Sequence, residues 1–137
     1  MAMDMLQSID VSAGGMFAQS QRMKAAAENL ANADSIQAAS GQGAYRAKLV
    51  SFQSVLNRTT GMTEVKAKTS DDMNTPMRTA YNPGSDMADS KGFITMPNVD
   101  ATTESINMRE AQRSYEANLS AISTARDMAT RTLDMLR

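Results

Sequence analysis

The chain has 137 residues, of which 42% are hydrophobic and 4% aromatic, and it contains no cysteine, histidine or tryptophan. Fourteen basic and fifteen acidic residues give a net charge of −1, which offers no cationic field for nucleic acid or anionic lipid. Without cysteine and histidine, the chain lacks disulfides, thiol nucleophiles and the commonest general base and metal ligand. We therefore expect one elongated domain with a thin apolar core.

The first third of the chain repeats apolar and small residues at alternating spacings of four and three. This heptad pattern predicts a coiled-coil helix from Ala2 to Ala33, which either runs unbroken or starts or bends at Gly14-Gly15. Large and small residues alternate along it, so a partner backbone could approach closely. The residues that we expect at a subunit interface, here called the N-terminal seam, are Leu6, Ile9, Met16, Met23, Ala27 and Leu30.

The last third repeats the same spacing, after a polar helix start between Asn98 and Glu104. Gln112 and Arg126 interrupt its apolar character. Because neither helix can bury its stripe by itself, the two helices should pair with each other or with neighbouring copies. The residues of this C-terminal seam are Met108, Tyr115, Leu119, Ile122, Leu133 and Leu136.

The middle of the chain changes to alternating apolar and polar residues, which predicts short strands at 45–56, 65–69, 77–81 and 93–96. Turn residues such as Asn82-Pro-Gly-Ser85 separate them. The predicted fold class is α+β, with long terminal helices paired as a coiled coil around a small irregular β unit. The predicted domains are a helical one from residues 1–35 with 98–137, and a β-rich insertion at 36–97.

No motif indicates catalysis or a cofactor. The acid pairs Asp71-Asp72 and Asp86 with Asp89 lack the spacing of a calcium loop, and there is no phosphate loop or serine elbow. We predict that the chain is not an enzyme and has no catalytic, cofactor-binding or metal-binding residues. It has no run of about 20 apolar residues for a membrane span, and its amino end lacks the basic region of a signal peptide.

Two motifs resemble a known family. Segment 9–33 ends in Asn29-Leu30-Ala31-Asn32, and segment 81–100 ends in Met96-Pro97-Asn98-Val99-Asp100. Together with 45–48 and 113–118, these segments resemble the bacterial flagellar rod and hook proteins, and within that family the proximal rod members. The similarity extends over nearly the whole chain.

The resemblance implies a structural subunit of the basal-body rod, the drive shaft that crosses the periplasm from the membrane ring to the hook. It also implies export through the flagellar channel without a cleaved signal peptide, with the terminal helices lining the tube and the β unit outside. The implied partners are copies of the chain, other proximal rod proteins, the distal rod protein, the rod-base adaptor and, during secretion, the export apparatus. Nucleic acid and direct membrane insertion are not expected.

A second interpretation of the same pattern is a cytoplasmic helical-hairpin adaptor or secretion chaperone, since such proteins also present unpaired amphipathic helices. A periplasmic enzyme acting on cell wall is disfavoured because no catalytic cluster is found. Asn29 and Asn32 also have two interpretations. They are either functional members of the family signature or ordinary residues at the end of a helix, where asparagine is common.

Overall fold

The computed structural model describes residues 2–36, 43–58 and 61–135. In the described residues, one long helix precedes and another follows four strands, which confirms the predicted α+β class. The elements, in chain order, are α1 (Ala2–Ala31), β1 (Lys48–Asn57), β2 (Met62–Asp71), β3 (Arg78–Tyr81), β4 (Phe93–Met96) and α2 (Ala101–Met135).

Helix α1 continues through Gly14-Gly15 without a break. It ends near Asn32, as the sequence predicts. The side-chain amide of Asn32 donates to the Glu28 carbonyl at 2.8 Å, which also accepts from the Asn32 backbone amide at 3.2 Å. The backbone then turns, with the Ser35 hydroxyl donating to the Asn32 carbonyl at 2.9 Å. The helix therefore stops at a polar cap of its own residues.

Helix α2 begins at an aspartate cap. The Asp100 carboxylate accepts hydrogen bonds from the amides of Thr102 and Thr103, at 2.8 and 3.2 Å. Glu104 follows in the first turn, where a negative charge is favoured by the helix dipole. The predicted cap is confirmed, and it fixes the point at which the chain leaves β4 and starts back along α1.

Strands β1 and β2 form an antiparallel hairpin in which Lys48 lies opposite Asp71 and Asn57 opposite Met62. Gly61 has φ 71° at the turn, a conformation that glycine adopts without strain. An isolated two-stranded hairpin is marginally stable in water, and this one packs on α1. The helix thus supplies the support that the hairpin needs.

Strands β3 and β4 form a second, smaller hairpin with Tyr81 opposite Phe93. Their rings meet edge to face with centroids 5.3 Å apart. Gly92, with φ 81°, lies under the Tyr81 ring, and a Cβ at this position would be 2.9 Å from a ring carbon. The β region is therefore two separate two-stranded sheets.

The fully buried apolar side chains among the described residues are mostly alanines. They are Ala18, Ala25, Ala26, Ala33, Ala47 and Ala111, with Ile94 and Val99 as the larger members. Small side chains bury little area each, so they contribute little hydrophobic free energy but let backbones approach closely. The two helices therefore pack against each other through small side chains, while most of their large apolar side chains stay at the surface.

Gly15 lies close against Asn118 of α2. A Cβ there would lie 2.9 Å from the Asn118 amide nitrogen, whereas a Cβ at Gly14 would meet only the Val65 carbonyl, at 3.9 Å. The two neighbouring glycines therefore have different reasons to be glycine. Gly15 makes room for α2, and Gly14 has space for a methyl group.

We predict that Gly14→Ala raises the free energy of unfolding by about 1 kcal/mol, because alanine favours the helix over glycine. Gly15→Ala should lose that gain, since its methyl group meets Asn118. In an Asn118→Ala background the gain should return at position 15. Urea denaturation of the four variants measures the coupling, and equal gains from both glycine replacements would contradict a tight contact at Gly15.

Candidate assembly surfaces

The buried side chain of Asn29 joins α1 to the start of β1. Its Oδ1 accepts from the Lys48 amide at 2.7 Å and from the Tyr45 hydroxyl at 2.9 Å, and its Nδ2 donates to the Lys48 carbonyl at 2.9 Å. The amide thus bonds both backbone groups of Lys48, as a neighbouring strand would. The amide also lowers the pKa of Glu104 on α2, so this fully buried side chain lies where α1, β1 and α2 meet.

Asn98 makes the corresponding connection on the other side of β1. Its Oδ1 accepts from the Ala47 amide at 2.8 Å, and its Nδ2 donates to the carbonyls of Asp72 and Thr75 at 3.2 and 3.1 Å. The Asp72 amide in turn donates to the Ala47 carbonyl at 2.7 Å. The Asn98 side chain therefore holds the start of β1 and the end of β2 beside the segment that leads into α2.

Arg78 joins the small hairpin to the same region. Its Nε donates to the Pro97 carbonyl at 2.9 Å and its terminal nitrogen to the Ala33 carbonyl at 2.7 Å. Ala33, Ala47 and Val99 form the apolar cluster at this point. We call the region around Asn29, Asn98, Arg78 and this cluster the amide junction, and every element of the chain begins, ends or passes there.

Two carboxylates at the junction are shifted in opposite directions. Burial raises the pKa of Glu104 above its ordinary value of 4.5, although hydrogen bonds from Asn29 and Asn107 partly oppose the shift. A hydrogen bond from Lys48, at 2.6 Å, lowers the pKa of Glu28. Folding therefore opposes ionisation of Glu104 and favours ionisation of Glu28.

Three consecutive heptad rows of α1 face three different surroundings, since successive residues are about 100° apart around a helix. The first row, which contacts the β1–β2 hairpin, is Gly14, Gln21 and Glu28. The second row, which contacts α2, is Gly15, Arg22 and Asn29. The third row is Met16, Met23 and Leu30. This third row belongs to the N-terminal seam.

The N-terminal seam is partly covered within the chain. Leu30 is 37% exposed and Ala27 is also exposed, while Ile9, Met16 and Met23 are half-buried. Beside the seam, Gly15 leaves room for Asn118 of α2, and the small side chains of Ala18, Ala25 and Ala26 are buried. Leu6 lies outside the described side chains. The seam residues remain candidates for contacts with other subunits.

The C-terminal seam divides into two halves. Met108, Tyr115 and Ile122 are half-buried, whereas Leu119 and Leu133 are exposed, and Leu136 lies outside the described residues. On the face toward α1 the chain uses Ala111 and Asn118, each one position before the expected residue. The outer half of the seam therefore points away from α1.

Sequence reasoning missed the polar contacts that align the two helices. Arg22 donates to Asn107 at 3.3 Å and forms an ion pair with Glu110 at 3.0 Å. The signal available was the small residues Ala18, Ala25 and Ala26 just off the seam, which gave α1 a second non-polar face. Nothing in that pattern distinguished the face for α2 from a face for another subunit.

The described residues contain no group of three acidic side chains arranged as metal ligands would be. Neither α1 nor α2, as far as the structure describes them, combines the length and the apolar character needed to cross a bilayer. The chemically distinctive features of the molecule are thus the amide junction and the exposed apolar rows of its helices.

Comparison with known proteins shows the family to which the chain belongs. A family model described as "Flagella basal body rod protein" matches residues 9–35, and one described as "Flagellar basal body rod FlgEFG protein C-terminal" matches residues 90–135. The chain is 41% identical over 135 residues to the flagellar basal-body rod protein FlgC of Escherichia coli O6:H1, which covers 97% of this chain and 98% of the relative. The chain belongs to the FlgC family of flagellar basal-body rod proteins.

Other members of the FlgC family show the same extent of similarity. The FlgC protein of Salmonella typhimurium is 39% identical over 135 residues, and that of Agrobacterium fabrum is 40% identical over 136 residues, each covering at least 97% of both chains. The resemblance to the flagellar rod and hook proteins is confirmed. The two matched segments contain most of α1 and all of α2, together with Asn29, Asn32 and the stretch Met96–Asp100.

The two asparagines of the signature Asn29-Leu30-Ala31-Asn32 have different roles. Asn32 is a helix-end residue, as the simpler interpretation held, because its amide bonds the carbonyl of its own helix. Asn29 instead ties α1 to β1 and α2. Met96-Pro97-Asn98-Val99-Asp100 likewise combines a buried turn, the Asn98 bridge and the α2 cap.

We predict that Asn29→Asp lowers the free energy of unfolding by about 3 kcal/mol, because a carboxylate cannot donate to the Lys48 carbonyl and adds a charge beside Glu104. Asn32→Asp adds the same charge at a half-exposed cap and should cost about 1 kcal/mol. Urea denaturation followed by tyrosine fluorescence measures both. Equal costs would show that Asn29 is only a helix-end residue.

The two shifted carboxylates predict opposite pH effects. The raised pKa of Glu104 means that its ionisation costs stability as pH rises, so Glu104→Gln should stabilise the chain at pH 7 relative to wild type, and less so at pH 3. The lowered pKa of Glu28 contributes stability at neutral pH that is lost on acidification, so Glu28→Gln should destabilise at pH 7 and be neutral at pH 3. Denaturation at both pH values measures the difference, and shifts of the same sign would contradict it.

Proposed function

We propose that the chain is built into the flagellar rod by packing the free rows of α1 and α2 against neighbouring subunits. As a FlgC family member it is a structural subunit of the basal-body rod. The observation that carries the proposal is the position of the N-terminal seam. One row of α1 contacts the hairpin and one contacts α2, while the seam keeps Ala27 and Leu30 exposed and Met16 and Met23 half-buried.

The exposed rows suit several neighbours. Methionine is unbranched and polarizable and packs against differently shaped surfaces, which a subunit with unlike neighbours above and below requires. We infer contacts with copies of the chain, other proximal rod proteins, the distal rod protein and the rod-base adaptor, and with the export apparatus during secretion. A contact that joins two different surfaces of like subunits builds an open helical assembly when the rotation from one subunit to the next does not close into a ring.

The helices and the β region have separate roles in this proposal. Residues 1–35 with 98–137 form the helical part that lines the tube, and residues 36–97 form the insertion on its outer side. The arrangement of α1 supports this division, since the hairpin occupies the row farthest around the helix from Leu30. The amide junction would hold the two parts together under torque.

A purely mechanical role without catalysis or cofactor follows from the same proposal. The polar side chains of the junction bond other groups of the same chain. Asn29 and Asn98 bond backbone groups, and the Asp72 carboxylate accepts from the amides of Asn74 and Thr75 at 3.0 and 3.1 Å. Such groups position chain segments and are not arranged around a substrate. Fractionation of cells tests the location, because a subunit of the rod should co-purify with basal bodies.

We predict that Leu30→Asp or Leu119→Asp abolishes swimming, because an aspartate buried at a subunit contact costs several kcal/mol. Both leucines are partly exposed in the free chain, so aspartate there should leave its helicity unchanged by far-UV circular dichroism. Leu30→Met, which keeps the apolar contact, should swim normally. Normal swimming by both aspartate variants would show that these rows are not contacts.

A further inference from the structure

An apolar groove of about 500 Å³ lies between α1 and β2. The α1 side includes Val11 and Phe17, and the β2 side includes Val65 and Ala67. Val11, Phe17 and Val65 are 47%, 62% and 37% exposed, although the hairpin packs on the same helix. Gly14 lies in the middle of the groove and has no side chain to fill it. The helix and the hairpin therefore leave a gap that neither closes.

The charged groups of the groove are Asp10 and Glu64, with Lys66 as the single cation. Its volume is within the range of small-molecule sites, but such sites have several polar groups that converge on a ligand. Here apolar side chains from two elements line a channel with acids beside them. A groove with this lining is suited to bind the apolar face of a helix.

Helix α2 carries a matching row. Leu119, Arg126 and Leu133 recur every seven residues and are exposed, with Leu119 51% and Leu133 68% accessible. No ion pair within the described residues involves Arg126. The row therefore presents two apolar side chains on either side of one unpaired cation, whereas the groove has a net charge of −1.

We propose that the groove receives the Leu119, Arg126 and Leu133 row of a second copy of the chain, with one of the two leucines between Phe17 and Val65 and the Arg126 guanidinium beside Asp10 and Glu64. This inference rests on the proposed function and names one interface within it. Opposite charge and complementary apolar surfaces argue for this occupant. The two surfaces differ, so the contact is heterologous and repeats from one copy to the next.

A chain cannot bring Leu133 to its own groove. Gly15 lies against Asn118, and Leu133 is fifteen residues (133 − 118) further along α2, which is about 22 Å at 1.5 Å per residue. The α2 helix also packs on the row of Gly15 and Arg22, while the groove lies on the row of Gly14. A cross-link between Phe17 and Leu133 therefore reports contact between two chains.

The absence of cysteine makes that cross-link specific. Phe17→Cys is combined with Leu119→Cys in one variant and with Leu133→Cys in another, and basal bodies purified from cells are mildly oxidised. We expect a ladder of dimers and higher multimers from at least one pair, and the pair that reacts gives the register. The control combines Phe17→Cys with Ile106→Cys, which is 59% exposed on another side of α2 and should give no ladder.

Charge reversal supplies the second measurement. Arg126→Glu and Asp10→Lys should each reduce swarming, and the double variant should regain it, because the pair is restored with opposite sense. The inference is overturned if the chain is present in basal bodies but neither cysteine pair gives a ladder, or if Phe17→Cys cross-links only to a different protein. Absence of the chain from basal bodies would instead overturn the proposed function, and this inference with it.

Discussion

The structure depends on one buried amide. Asn29 lies on a helix, yet its side chain hydrogen-bonds both the amide and the carbonyl of Lys48, the first residue of β1. A neighbouring strand would bond the same two backbone groups. Polar backbone groups at the edge of a hairpin would otherwise need water or another strand. The side chain satisfies them and also accepts a hydrogen bond from the Tyr45 hydroxyl. Its Oδ1 thus accepts two hydrogen bonds and its Nδ2 donates one, which explains how an asparagine can be fully buried.

Alanine and glycine decide how the remaining elements meet. Gly15, Ala18, Ala26 and Ala111 allow α1 and α2 to approach closely, while the ion pair of Arg22 with Glu110 aligns them. Close packing of small residues leaves the large apolar side chains outside. A protein that must be stable by itself would bury those side chains. This chain keeps them accessible, as a subunit that meets neighbours on several sides requires.

The amide junction connects the helical part to the β region through hydrogen bonds more than through apolar area. The side chains of Asn98 and Arg78 bond backbone amides or carbonyls of segments distant in sequence, and the backbone amide of Asp72 donates to the Ala47 carbonyl. Hydrogen bonds are directional, so they fix orientation as well as distance. Force transmitted along the helices would reach the hairpins through this region, and a directional connection keeps the β region at a set angle.

The sequence by itself determined the helices, their caps, the strands and the family. Heptad spacing, Asn32, Asp100 and the turn residues act locally, and the structure confirms each of them. The assignment of faces was decided by the tertiary structure. Met16 and Ala18 are both compatible with a helix interface, but the structure buries Ala18 fully and leaves Met16 half-buried. Likewise, Asn29 is an ordinary helix-end residue until the chain brings Lys48 to it, because its role depends on contacts between segments that no local pattern encodes.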